Sequence, residues 1–219
     1  MKIAVVQFDS RPLDTLGFLA SLIVRNSHYA RQHGYEHFFV NQLGMEIPPF
    51  WAKPHVVMFY LKSGYDIVLW LDTDAVVHDL AIPVTRFFAG DEVFIYASDN
   101  PVWRSPFNAG VFMCKGIIAL DLMLEWAALY QPDQWEKHEN GWRCRDARWA
   151  GAAYEQGSFA INILPKYGQS GLFKQLPWQV LQSPFPLENS FTLHFAERFK
   201  ANIGVYCAAF PQPRLSREE

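Results

Sequence analysis

Cysteine, clustered basic residues and long apolar runs are all scarce in this chain. The three cysteines, Cys114, Cys144 and Cys207, are odd in number and widely separated. That excludes a disulfide framework and leaves no metal-ligand spacing among the thiols, which read as free in a reducing compartment. No run of Lys or Arg occurs and the net charge is −3. A nucleic-acid groove or an anionic-membrane patch is therefore not expected, and any phosphate must be met by local groups. No apolar stretch reaches the roughly 18–20 residues of a membrane span. The amino-terminal apolar run, Ile3 to Phe8, is too short for a signal peptide. The expectation is a soluble, cytoplasmic chain with no membrane span and no nucleic-acid partner.

What is present is enough apolar residue to bury a full core. Half of the 219 residues are hydrophobic, which favours one α/β domain, placed at residues 1–210, followed by a polar tail at 211–219. Eight tryptophans in a 16% aromatic chain suit a cleft that stacks sugar rings or a base, and they equally suit a large core.

The stretch that organises the rest is residues 66–79, DIVLWLDTDAVVHD. Ile67 to Leu71 is too short to cross a membrane and reads as a strand buried on both faces. It stops at Asp72 and Asp74. Two residues apart on an extended chain, their carboxylates fall on one side, where they repel unless a cation lies between them. Hard oxygen ligands after a buried strand suit Mg²⁺ or Mn²⁺ carrying a diphosphate. An Asp-x-Asp after a strand is also a common turn or cap. Here Ala75-Val76-Val77 follows, so the acids are hemmed in by core.

Strand, helix and strand alternate along the first third, the pattern of a parallel sheet. Ile3 to Phe8 reads as the first strand, ending at Asp9. A helix capped by Asp14 follows, with Leu16, Leu19, Ala20, Ile23, Ser27 and Ala30 on one face and a stop at His33-Gly34. Residues 35–40 read as a second strand, and residues 50–61 as a helix with Lys53 in its first turn. Residues 93–97 and 107–113 read as further strands, the latter opening with Asn108-Ala109-Gly110, where a glycine lets backbone or ligand approach. Residues 117–130 read as a helix burying Ile117, Leu120, Leu124, Ala127 and Ala128. Residues 132–146 form an irregular loop of the kind that covers a site or meets an acceptor. Residues 149–160 have helical spacing and present Glu155 and Gln156. Residues 164–189 suggest strand fragments, and residues 191–196 a strand carrying His194, which by itself reads as a core histidine.

Taken in order, residues 29–35 (YARQHGY), Trp51-Ala52-Lys53, residues 65–75, Asn108-Ala109-Gly110, Glu155-Gln156 and His194-Phe195-Ala196 resemble the galactosyl- and mannosyltransferase family of fungal Golgi enzymes and the plant xyloglucan xylosyltransferases. The chain also looks somewhat like soluble chlorella-virus transferases. That resemblance implies a GT-A fold, with a mostly parallel sheet flanked by helices, and metal-dependent transfer from a nucleoside diphosphate sugar with retention at the anomeric carbon. It implies that Asp72, Asp74 and His194 are the metal ligands, and an imidazole among oxygens favours Mn²⁺ over Mg²⁺. It places Gln7, Phe8, Asp9, Lys53 and Thr73 with Asp72 about the nucleotide and diphosphate. Asn108, Ala109 and Gly110 lie under the donor sugar, and Glu155 and Gln156 are the catalytic pair.

The chain departs from that family in lacking an anchor and stem, in having Glu155 where an aspartate is usual, and in having Arg198 and Lys200 flank the place of a basic residue after the histidine. The expected donor is a UDP-sugar and the expected acceptor a glycan or glycoprotein. Two other readings remain. A non-catalytic glycan- or nucleotide-binding module would bind without turnover. A sugar nucleotidyltransferase would want a glycine-rich basic loop near the first strand, and none is visible.

Overall fold

Six strands form the central sheet of the computed structural model, which describes residues 1–146 and 148–211. The tail expected at 211–219 lies outside these residues apart from Pro211. The elements in chain order are β1 (Ile3–Phe8), α1 (Leu19–Gln32), β2 (Glu36–Val40), α2 (Ala52–Lys62), β3 (Ile67–Leu71), β4 (Ala75–Val77), β5 (Phe94–Ala97), β6 (Val111–Lys115) and α3 (Gly116–Ala128). They continue with β7 (Trp135–His138), β8 (Gly141–Cys144), α4 (Glu155–Ser158), α5 (Leu164–Tyr167), β9 (Phe173–Leu176), α6 (Trp178–Leu181), β10 (Thr192–His194) and α7 (Ile203–Ala209).

The sheet order is β2-β1-β3-β6-β5-β9, and β6 alone runs against the other five strands. Every residue of β1 and β3 is buried, as apolar runs without alternation require of central strands covered on both faces. Alternate residues serve opposite layers. Ala4 and Val6 pack with α2 and α3, while Ile3 and Val5 pack with Tyr29 and Ala30 of α1. Much of the aromatic content goes into the first layer, where Trp126 and Phe159 meet Phe107, Phe112 and Phe94. Trp103 and Trp149 remain exposed.

A second, two-stranded ladder pairs β4 with β10, and it is the part that matters for the site. Leu16, Leu19 and Leu22 from the α1 region and Ile203 and Tyr206 of α7 close over Val76 and Leu193 of this ladder. Asn26 of α1 completes it, accepting from the Val77 N–H at 2.8 Å and donating to the Ala75 carbonyl at 3.0 Å. The buried amide thus behaves like a third strand, satisfying backbone groups that would otherwise be orphaned.

Several expectations are corrected in detail. Asp14 caps no helix, since it sits in a separate 3-10 turn, Leu13–Thr15, and the α1 N-cap, Phe18, makes no side-chain bond. The buried face of α1 is Leu19, Leu22, Arg25, Asn26, Tyr29 and Ala30, and that of α3 is Ala119, Leu122, Met123 and Trp126. Ile117 and Leu124 of α3 are exposed, because a helix apolar around most of its circumference does not reveal its inner face. Residues 132–146 contain the β7–β8 hairpin. The helix expected from residue 149 begins only at Glu155. Ala150 has φ of 52°, and the Ala150 and Gly151 carbonyls press so closely on Gly157 that a Cβ there would lie 2.2 and 2.1 Å from their oxygens.

Candidate active site

The carboxyl end of β3 delivers Asp72, and the ladder brings His194 to it. Because β10 pairs antiparallel to β4 with His194 opposite Ala75, the imidazole arrives beside Asp74, the residue preceding Ala75. The Phe195 N–H donates to the Asp74 carbonyl at 2.9 Å and closes the corner. His194 Nε2 lies 3.3 Å from Asp74 Oδ1, and Lys200 Nζ lies 3.1 Å from Asp74 Oδ2. Asp72 receives Lys53 Nζ on Oδ2 at 3.0 Å and the Trp70 indole N–H on Oδ1 at 2.9 Å.

Ligand atoms of Asp72, Asp74 and His194 all lie within 4.8 Å of one another. Ligands of a six-coordinate ion with bonds of about 2.1 Å stand about 3.0 Å apart when adjacent and about 4.2 Å apart when opposite, so the three side chains are near enough to share one ion. Two carboxylates and an imidazole suit a hard to borderline divalent cation. Asp74 already faces the Lys200 ammonium and the His194 imidazole, so it sits where positive charge is favoured. Burial opposes its ionisation, but His194 and Lys200 outweigh that and hold its carboxyl well below the usual range. Burial likewise disfavours the His194 imidazolium, yet the Asp74 carboxylate raises its pKa. The residues therefore fit a divalent metal.

The Asn108–Gly110 segment lies against this group. Gly110 is required there, because a Cβ would stand 2.1 Å from His194 Cε1. Asn108 Oδ1 accepts from the Gly110 N–H at 2.8 Å, the Ala109 N–H donates to Gln156 Oε1 at 3.0 Å, and Lys53 Nζ donates to the Ala109 carbonyl at 3.3 Å. Lys53 also reaches Glu155 Oε1 at 3.0 Å. Burial would lower the Lys53 pKa, but Asp72 and Glu155 raise it, so the ammonium stays charged. Glu155 is pushed up by burial, and Lys53 offsets only part of that.

The structure therefore draws together Asp72, Asp74, His194, Lys53, Glu155, Gln156 and the Asn108–Gly110 segment. The end of β1 joins from the other side. Gln7 Nε2 donates to the Asp72 carbonyl at 3.3 Å, and Thr73 Oγ1 donates to the Phe8 carbonyl at 3.1 Å. Asp9 takes Arg11 as its partner. Burial alone would raise the Asp9 pKa, but the Arg11 bonds lower it.

In the sequence Lys200 stands out only as flanking the place of a basic residue, and Asp99 is not singled out. Lys200 follows His194 in a 3-10 segment, Glu197–Asn202, and that turn brings its ammonium back onto Asp74. The pair of basic residues after the histidine was the available signal. Asp99, in the loop after β5, has a pKa raised by burial and partly restored by a hydrogen bond with Asn108. No spacing pattern pointed to it. Surface clefts of about 500 Å³ beside Glu46, Lys137 and Trp142, and of about 460 Å³ beside Val56 and Tyr60 of α2, include none of these site residues.

No family model and no curated protein sequence matches the chain. Solved structures do. A glycosyltransferase involved in glycosylation of the major capsid of PBCV-1 superposes with a TM-score of 0.71 at 15% identity, covering 94% of this chain and 98% of the other. The glycosyltransferase GlyE of Streptococcus pneumoniae TIGR4 superposes with a TM-score of 0.56 at 16% identity, covering 98% of this chain and 66% of GlyE. Identities this low establish architecture alone. With a sheet in which only β6 is reversed, and with the acidic pair at the end of β3, the chain has the GT-A fold of the glycosyltransferases.

Proposed function

We propose that this protein is a metal-dependent retaining glycosyltransferase that moves a sugar from a nucleoside diphosphate sugar, UDP-linked, to a hydroxyl of a glycan or glycoprotein. The observation that carries the reading is the meeting of Asp72, Asp74 and His194 at the carboxyl end of β3, above Gly110 and beside the buried Lys53–Glu155 pair. Ligands of open α/β sheets bind at this end of the strands.

Asp72, Asp74 and His194 would hold the cation, Mn²⁺ in preference to Mg²⁺. When bound, it supplies positive charge to the departing diphosphate. The residues of the chain do the rest. Lys200, half exposed on Asp74, is placed to turn toward the diphosphate once its carboxylate partner is engaged elsewhere. Lys53 keeps a fixed charge between Asp72 and Glu155, which holds Glu155 in place and orders the Ala109 carbonyl. Gln156 fixes the floor through its Oε1, which accepts from the Ala109 N–H and has a second lone pair to offer the donor sugar. An amide at this point suits stabilisation of developing positive charge on the sugar while the departing phosphate takes the acceptor's proton, a same-face route that needs no separate base. Glu155, committed to Lys53, fits an orienting role better than that of a nucleophile.

The test is a panel of UDP-sugars with candidate acceptors, read by UDP release and by NMR of the product's anomeric centre. Acceptor-dependent UDP release with retained configuration is the expected result. Pyrophosphate release, an inverted product, or binding without turnover for every donor would overturn the reading.

A further inference from the structure

Gln182 follows α6 and is 3% exposed. Its side chain is committed at both ends. Nε2 donates to the Val111 carbonyl at 3.0 Å and to the Asn108 carbonyl at 3.3 Å. Both partners are acceptors, so the nitrogen must be the atom that faces them. The oxygen then faces His194 Nδ1 at 2.9 Å. An amide oxygen only accepts, so Nδ1 must carry a hydrogen.

The neighbouring backbone fixes the segment that carries the amide. The His194 N–H donates to the Ser183 carbonyl at 2.9 Å, and the Gln182 N–H donates to the Trp178 carbonyl at 2.7 Å. Thr192 Oγ1 donates to the Leu181 carbonyl at 2.7 Å. The segment after α6 is thus stitched along β10, and the imidazole lies against Gly110 with no room for a Cβ.

We propose that Gln182 is a positioning residue for cation binding: it holds neutral His194 as the Nδ1–H tautomer, so that the Nε2 lone pair is left for a cation shared with Asp74. The inference rests on the reading of His194 as a metal ligand. The same amide also fastens the Asn108 and Val111 carbonyls, so the ring and the backbone on either side of Gly110 are set by one side chain. Hydrogen-bond partners behind a ligating histidine commonly fix its tautomer and change metal affinity by about 10–100-fold.

The first test needs no variant. In metal-free ¹⁵N-histidine-labelled protein, at a pH where the ring is neutral, the His194 signals, assigned by difference from His194→Gln, should show a protonated Nδ1. A ring protonated at Nε2 would overturn the proposal, whatever the outcome for metal or for transfer.

Variants then test the link to the cation, read by Mn²⁺ titration calorimetry alongside thermal melting. Gln182→Met removes the acceptor at similar volume and should weaken Mn²⁺ binding about 10–100-fold, with the tautomer shifting toward Nε2–H. Gln182→Glu keeps an accepting oxygen, so it should hold the tautomer and lose less affinity. A folded Gln182→Met protein with wild-type affinity and tautomer would overturn the proposal. If that variant does not fold, Gln182→Glu decides, since a shift to Nε2–H there would also overturn it. Absence of Mn²⁺ binding in the wild type would instead contradict the metal reading, and the tautomer would still judge Gln182 separately.

Discussion

Lys53 Nζ lies 3.0 Å from Glu155 Oε1 with only 9% and 4% of the two side chains exposed. Removing one member of a buried pair costs about 3–5 kcal/mol because the other is left uncompensated. Lys53→Met is expected to fall at the low end of that range, since Glu155 already has a raised pKa and can take a proton. In a denaturation double-mutant cycle, Lys53→Met with Glu155→Met should recover most of the loss. Additive losses would show that the pair is not coupled.

Glu155→Gln is expected to slow transfer by about 10–100-fold through misplacement of the donor, leaving measurable turnover. Asp74→Asn should lose nearly all activity along with Mn²⁺ affinity, because Asp74 faces His194 at the proposed metal site. Mass spectrometry of the enzyme with donor checks the route. A sugar found covalently on Glu155 would replace the same-face mechanism by double displacement.

Gly110→Ala puts a methyl group where the His194 ring lies, 2.1 Å from Cε1. Overpacking of this kind costs about 1–3 kcal/mol. The larger expected effect is on metal, with Mn²⁺ affinity falling about 10-fold or more as the ring is displaced. Calorimetry on the folded variant checks this, and unchanged affinity would mean that His194 is not a ligand.

His37, on β2, is lowered to about 4 by burial, and its Nε2 lies 3.1 Å from Gln7 Oε1. A folded-state pKa below the unfolded value of about 6.5 means that the unfolded chain binds more protons between those limits. The contribution of His37 is therefore complete above about pH 6.5 and is lost as pH falls toward 4. Allowing for partial exposure, it amounts to about 1–2 kcal/mol. His37→Gln, which keeps a donor for Gln7, should flatten the fall in urea-unfolding stability over that window. An unchanged slope would contradict the assignment.

Much of this arrangement was legible in the sequence. The bounds of β1 and β3 agree with their apolar runs, because strands buried on both faces have no alternation to misread. The acidic pair could be placed at the end of β3 for the same reason. His194 was legible only through the resemblance, since its approach to Asp74 depends on the β4–β10 register across more than a hundred residues. Lys200 and Gln182 depend on local turns after β10 and α6, and Asn26 acts through backbone groups, which leave no pattern in side-chain chemistry. The start of α4 was misjudged because the carbonyls of residues 150 and 151 close over Gly157, a contact that helical periodicity does not register.

The central claim is that Asp72, Asp74 and His194 hold a cation on which sugar transfer depends. It is tested most directly by stripping the protein with chelator and following UDP release from its UDP-sugar donor as Mn²⁺ is added back, for the wild type and for His194→Ala. The account predicts no turnover after stripping, recovery that saturates with Mn²⁺ in the wild type, and recovery in His194→Ala only at about 10-fold or greater Mn²⁺ concentration, if at all. Turnover that persists in chelator, or an identical Mn²⁺ response from His194→Ala, would contradict it.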